Sequence, residues 1–213
     1  MIWVIIIVAL IVILVIWAIA SYNGLVRLRN LVQEAWRQID VELKRRHDLI
    51  PNLVETVKGY AGHERETLEA VTAARTAAAA PAGSVQQQAQ NEGMLSAALG
   101  RLFAVAEAYP QLKANENFLE LQRELSATED RIAAGRRYYN ANVRTLNTKV
   151  ESFPSSILAG MFHFSRADYF ELEDAAERQA PTVSFGSSGP TPPAIPADRP
   201  QDAPPFGTPP AQQ

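Results

Sequence analysis

At 213 residues the chain has room for one modest domain. Its net charge of −3 and pI of about 5.7 lack the basic excess by which nucleic-acid binders are recognised, so no nucleic-acid partner is expected. It contains no cysteine, which excludes disulfides, thiolate zinc sites, a thiol nucleophile and lipid attachment through cysteine.

The chain opens on Ile2 to Ala20, an unbroken apolar run of isoleucine, valine, leucine, alanine and tryptophan. As a helix it rises roughly 28 Å, close to the ~30 Å hydrocarbon core of a bilayer. Its aliphatic side chains together favour insertion by about 6 kcal/mol. Trp3 and Trp17 sit near its ends and Tyr22 just beyond, where interfacial aromatics collect. Ala18-Ile19-Ala20 resembles a signal-peptide cleavage site, but no basic n-region precedes the run and the run is too long, so a retained anchor is expected. Arg27, Arg29 and Arg37 follow it and nothing basic precedes it, which favours an outside N-terminus and a cytoplasmic domain.

From Tyr22 to about Tyr60 the pattern is helical. Leu25, Leu28, Val32, Ala35 and Ile39 recur in steps of three and four along one face. Asp40 with Lys44, and Glu42 with Arg46, are expected as exposed-face pairs one turn apart. Gly24 is the only weak helix former between the anchor and this helix, so the two are predicted to run together with little break. Pro51 should then kink the helix or restart it behind an Asp48 cap, changing the axis either way. Gly59 and Gly62 bracket a joint, after which Glu64 and Glu66 suit the first turn of a new helix.

The alanine-rich stretch Thr76 to Ser84 ends in a turn at Pro81-Ala82-Gly83. Ser84 with Gln87 fits a capping box opening the next helix. Leu95, Leu99, Leu102, Ala106 and Tyr109 mark that helix's buried stripe, and Pro110 follows its end. From Asn115 to about Val150, Phe118, Leu125, Ile132, Tyr139 and Leu146 recur every seven residues. A repeat of that length implies a long helix packed nearly parallel or antiparallel to others. The interleaved Leu121, Thr128, Gly135 and Asn142 are small or polar after the first, which favours a bundle over a free coiled coil. Beyond Pro154 lies an apolar stretch, Ile157 to Phe164, and then Ser165 and Asp168 suggest a cap for a final amphipathic helix ending near Gln179. The segment from Pro181 to Gln213 holds ten of the fourteen prolines and is expected to be a disordered spacer, partly polyproline II.

No cluster announces a reaction. His47 beside Asp48 and His63 beside Glu64 are helix neighbours that point about 100° apart, and only His163 remains to complete a metal site. No HExxH spacing, glycine-rich phosphate loop or GxSxG elbow occurs. Polar residues do interrupt the helices: Asn23, Asn30, Asp40, Asn52, Gln122, Thr128, Glu129, Arg136, Asn140 and Asn147. Asparagine is a mediocre helix former, so these serve either a buried network that fixes register or a polar groove for a partner or ligand.

Several of these stretches resemble one family. Tyr22-Asn23-Gly24-Leu25-Val26, Arg29-Asn30, Ala35-Trp36, Ile39-Asp40-Val41 and Arg45-Arg46 through Asp48-Leu49-Ile50-Pro51-Asn52-Leu53-Val54 are similar to the LemA family. So are Gly59-Tyr60, His63-Glu64, Asn117-Phe118, Leu121-Gln122, Glu124-Leu125, Thr128-Glu129, Ile132, Arg136 and Tyr139-Asn140, with Ala159-Gly160-Met161-Phe162 and Tyr169-Phe170 closing. The middle helix, Gln86 to Ala108, matches only in general character, and the proline-rich tail is longer than the family's minimal form. The resemblance implies a bacterial membrane protein with a short outside N-terminus and a cytoplasmic antiparallel bundle. It brings no established catalytic activity, and hence no active-site residue and no cofactor.

The expected architecture is all-α: a single N-terminal transmembrane helix followed by an antiparallel up-and-down helical bundle. Its divisions are an anchor over 1–21, the LemA-like bundle over 22–180 and the tail over 181–213. The expected function is a non-catalytic scaffold or adaptor in the bacterial inner membrane, meeting the lipid bilayer, other membrane or envelope proteins and, in one version, a second copy of itself. The candidate interaction surface is Arg45, Arg46, Asp48, Asn52, Asn117, Gln122 and Glu129. The alternatives are a ligand- or stress-sensing bundle and a metal-dependent hydrolase built on Glu64, Glu129 and His63.

Overall fold

The computed structural model describes residues 1–171. The proline-rich tail and the far part of the expected final helix lie outside the described residues. Within them the fold is all-α: six helices and no strand.

The first helix, α1, runs from Ile2 to Lys58 without interruption. Its N-terminal part is long and apolar enough to cross a membrane, with a mean hydropathy of 3.5 over its most apolar 18-residue window and none of that window buried in the protein. The apolar run and the first bundle helix are therefore one rod, as the lack of strong breakers between them predicts.

Pro51 does not interrupt it. The helix passes through the proline and ends seven residues later, where Gly59 follows. A proline inside a helix removes one N–H and orphans the carbonyl four residues back, at a cost of about 3 kcal/mol. That carbonyl belongs to His47, and it accepts a hydrogen bond from Arg75 Nε at 3.2 Å. A side chain from the next helix thus takes the place of the missing N–H. Ile50, Leu53 and Val57, buried on either side of the proline, hold this stretch against the core and offset the rest.

After a six-residue joint, α2 (Arg65–Ala79) and α3 (Val85–Glu107) form an antiparallel hairpin. Ser84 caps α3 by accepting from the Gln87 N–H at 3.1 Å. The reciprocal half of the expected box is absent, because the Gln87 side chain reaches Asn91 instead. Pro110 opens a four-residue helix, α4 (Pro110–Lys113). Asn115 then accepts from the Phe118 N–H at 3.0 Å and starts α5 (Glu116–Glu151), the longest helix after α1.

The heptad residues of α5 are all buried: Phe118, Leu125, Ile132, Tyr139 and Leu146. This face lies antiparallel along α1, with Lys149 over Gly24, Gly135 against Ile39, and Glu129 against Arg46. At Gly135 a Cβ would stand 3.1 Å from Ile39 Cγ1, so the glycine is what lets the two backbones approach.

The chain then turns into α6 (Ser155–Met161). His163 ends it with φ 55°, the Phe164 N–H bonding to the Ala159 carbonyl at 2.9 Å and the His163 N–H to the Gly160 carbonyl at 3.3 Å. That is the Schellman pattern, with histidine in the left-handed position glycine usually fills. Beyond it the expected helix at Ser165 does not form. Residues 164–171 are non-helical, because α5 offers their backbone other partners. Asn147 donates to the Ala167 carbonyl and accepts from the Ala167 N–H, both at 2.9 Å. Asn140, two turns earlier, does the same for Phe170 at 3.1 and 2.9 Å. The Tyr139 hydroxyl donates to the Asp168 carbonyl at 2.8 Å. Two asparagines one heptad apart thus clasp a strap, and Phe170 is driven into the core against Trp36.

The core falls into two clusters. One joins Leu25 to Leu43 of α1 with Ile132 to Leu146 of α5, Ala89, and Phe170 of the strap. The other joins Ile50 to Val57 with α2, with Leu95 to Ala106 of α3, and with Phe118 and Leu125 of α5.

Candidate functional site

Between those clusters lies a layer of polar side chains. On α1 it is Arg46 and His47, between Leu43 and Ile50. On α3 it is Glu92, between Ala89 and Leu95. On α5 it is Thr128 and Glu129, between Leu125 and Ile132. Arg46 is 2 % exposed and Glu92 1 % exposed. Burying a charge costs several kcal/mol unless it is paired and hydrogen-bonded, so the partners decide whether the layer is tenable.

Glu92 is saturated. One carboxylate oxygen receives the Arg46 guanidinium. The other is shared by His47 Nε2 at 2.9 Å and Gln88 Nε2 at 2.8 Å. Burial pushes the Glu92 carboxyl up. The His47 hydrogen bond and the Arg46 charge outweigh it, and the net result lies below the ordinary carboxylate value. The charged form is the native one. Arg46 also pairs with Glu129 through its other terminal nitrogen and reaches Ser96 Oγ at 3.3 Å. Its Nε, buried, has no hydrogen-bond partner. Glu42, expected one turn away as its pair, faces Arg131 on α5 at 3.7 Å instead.

Beside the layer an open cavity of about 600 Å³ is lined by Trp36, Asp40, Lys44, His47, Asp48 and Arg75 among others. Its charges are mixed. Among the described residues no group of three or more His, Asp or Glu side chains stands close enough to hold a metal. The three residues of the hydrolase alternative are not brought together as a site. Glu64 accepts from the Tyr109 hydroxyl at 3.2 Å, Glu129 carries Arg46, and His63 is exposed in the joint before α2. His163 serves as the terminator of α6.

Of the residues singled out from the sequence, Arg46 and Glu129 come together inside the layer. Arg45, Asp48 and Asn52 lie exposed on α1, and Asn117 and Gln122 lie exposed near the start of α5. Antiparallel pairing brings Asn52 level with Gln122 in the half of the bundle remote from the apolar run. Sequence reasoning missed Glu92, Gln88 and Arg75. Glu92 had a signal: it lies three residues before Leu95, on the same face as the apolar stripe, where a carboxylate needs a cationic partner. Arg75 had none, because it answers a vacancy created by a proline 24 residues earlier.

The sequence profile of the LemA family matches residues 35–185. Magnetosome protein MamQ 2 and magnetosome protein MamQ 1 of Paramagnetospirillum magneticum are each 29 % identical over 181 residues, covering 73 % of this chain and 66 % of theirs. Protein LemA of Metamycoplasma hominis is 27 % identical over 152 residues, covering 71 % of this chain and 69 % of its own. The chain therefore spans slightly less than two thirds of the MamQ proteins it matches.

Proposed function

The chain belongs to the LemA family, and from that premise we propose that it is a non-catalytic, membrane-anchored bundle that presents a polar surface to other membrane or envelope proteins. One observation carries this: the buried ionisable groups of the polar layer satisfy one another, with Glu92 holding Arg46, His47 and Gln88 at once. A carboxylate so occupied has little left to offer a substrate. The names magnetosome protein and Protein LemA likewise describe no reaction.

The anchor is the first part of α1, and the rigid continuation of that helix carries the bundle. The organisation proposed is an anchor over 1–21, a bundle over 22–180 and a tail over 181–213. Arg27, Arg29 and Arg37 favour a cytoplasmic bundle at the bacterial inner membrane. Tethering raises the effective concentration of the bundle near membrane partners without any new contact. The docking surface proposed is Arg45, Asp48, Asn52, Asn117 and Gln122, with Arg46 and Glu129 supporting it from within.

Orientation is tested with the cysteine-free chain. An Ala104→Cys variant, exposed on α3, should react with a membrane-impermeant maleimide only after the inner membrane is opened; labelling in intact spheroplasts overturns the cytoplasmic assignment. Photocrosslinkers at Asp48, Asn52 and Gln122 should capture a common partner that one at Ala104 does not. Equal capture from all four positions counts against a defined surface.

The cavity beside His47 favours a second reading, a bundle that senses a small polar ligand. A rise in melting temperature with a metabolite, lost in Asp48→Ala or Lys44→Ala, would favour it.

A further inference from the structure

The antiparallel register of α1 and α5 fixes the height of the turn that follows α5. Lys149 lies over Gly24, Gly135 against Ile39 and Glu129 against Arg46, so each step forward along α5 is a step back along α1. Residues 152–154 consequently fall level with Ser21 and Ala20, where the apolar run ends. Phe162 closes the same end, its ring 4.8 Å from that of Tyr22.

The side chains here are large, apolar and bare. Phe153 is 82 % exposed, Ile157 57 %, Met161 64 % and Phe162 50 %. Ile157 and Met161 stand four residues apart and so share one face of α6, while Leu158 and Ala159 on the other side are buried. Residues 152–165 hold no Asp, Glu, Lys or Arg, in a chain that is 20 % charged. A patch of this kind marks a contact with another apolar phase. Its place beside the end of the apolar run identifies that phase.

We propose that α6 and the turn before it are a second membrane contact, seated in the interfacial layer beside the anchor. The partner is the lipid surface, and this rests on the anchoring proposed above. Phe153, Ile157, Met161 and Phe162 enter the boundary between headgroups and acyl chains, as the apolar face of an interfacial helix does. Two contacts fix the tilt and rotation of the bundle, where a single helix would leave it free to swivel about its axis.

The test uses single cysteines in the full-length chain, carrying an environment-sensitive fluorophore and reconstituted in phosphatidylcholine–phosphatidylglycerol vesicles doped with spin-labelled lipid. Probes at Ile157→Cys and Met161→Cys should be quenched at least twofold by a label placed shallow in the acyl chain. A probe at Leu10→Cys should be quenched by a deep label, and one at Ala104→Cys by neither. If Leu10 is quenched and Ile157 and Met161 are not, the second contact is wrong and the anchor stands. If Leu10 escapes quenching as well, both the anchor and the contact are overturned. Quenching at Ala104 equal to that at Ile157 would mean the dye itself seeks the bilayer, and would also overturn the contact.

Discussion

A charge buried in a helical bundle is defined by what it would leave behind if its partner were removed. Arg46→Met leaves Glu92 with only His47 and Gln88, and Glu92→Leu leaves Arg46 with only Glu129 and Ser96, so each should cost about 3 kcal/mol, the low end for a broken buried pair. Replacing both with apolar residues of similar volume should recover most of that loss, as urea unfolding of the four variants would show. Glu92 also sets a pH dependence. Its folded-state pKa is depressed, so its contribution is present above the ordinary carboxylate range and is lost as pH falls through the lowered value. Acid unfolding should be less steep in Glu92→Gln. Tyr139 has the opposite sign. Burial, then the charge of Asp168, raise its phenol from 10.0 to about 12. The neutral, donating form therefore stabilises the fold fully below pH 10, and that stability declines as pH climbs toward 12. Tyr139→Phe should cost about 1 kcal/mol at neutral pH and remove this decline. At Pro51 the test is a double-mutant cycle. Arg75→Ala should cost about 1–2 kcal/mol in the native chain, where it orphans the His47 carbonyl, and much less in Pro51→Ala, whose restored N–H takes that carbonyl.

At the scale of the elements, the helices were legible wherever apolar spacing and caps agreed. The heptad from Phe118 to Leu146, the Ser84 cap and the joint at Gly59 all appear in the structure. At Pro51 the restart behind an Asp48 cap does not occur, because a distant arginine takes the carbonyl that the proline leaves unpaired, and no local rule could supply that partner. Residues 165–171 were misread for a related reason. Ser165 and Asp168 have the spacing of a cap, yet Asn140 and Asn147 provide amide groups that a helix could not use. The sequence did raise the question of why asparagines recur in α5, and a buried network was one of the two answers weighed; the network proves to hold a strap as well as a register. Asn147→Ala removes the partners of both the Ala167 N–H and its carbonyl, so it should destabilise the strap by about 1–3 kcal/mol, seen as faster hydrogen exchange at Ala167 and Phe170. His163→Gly relieves the left-handed strain and should gain about 1 kcal/mol.

At the scale of the whole molecule, one helix joins a hydrophobic rod to a charged layer midway through the bundle. The two apolar clusters could in principle slide past one another along α1 and α5. A polar layer between them penalises every register but one, because any slip unpairs Arg46, Glu92 and Glu129. That role was only half visible in the sequence: Arg46 and Glu129 were picked out as members of an outer surface, and the residue that holds Arg46 inside, Glu92, lies in the helix with the weakest family likeness. The most direct test of a structural rather than a catalytic layer replaces it whole. A chain carrying Arg46→Met, Glu92→Leu and Glu129→Leu, confirmed as folded by circular dichroism, is compared with the native chain for the partner captured by a photocrosslinker at Asp48. The same partner with similar yield is the predicted result; loss of that partner from a folded chain, with capture retained when Arg45 and Asn52 are instead changed to alanine, would contradict it and place the function in the layer.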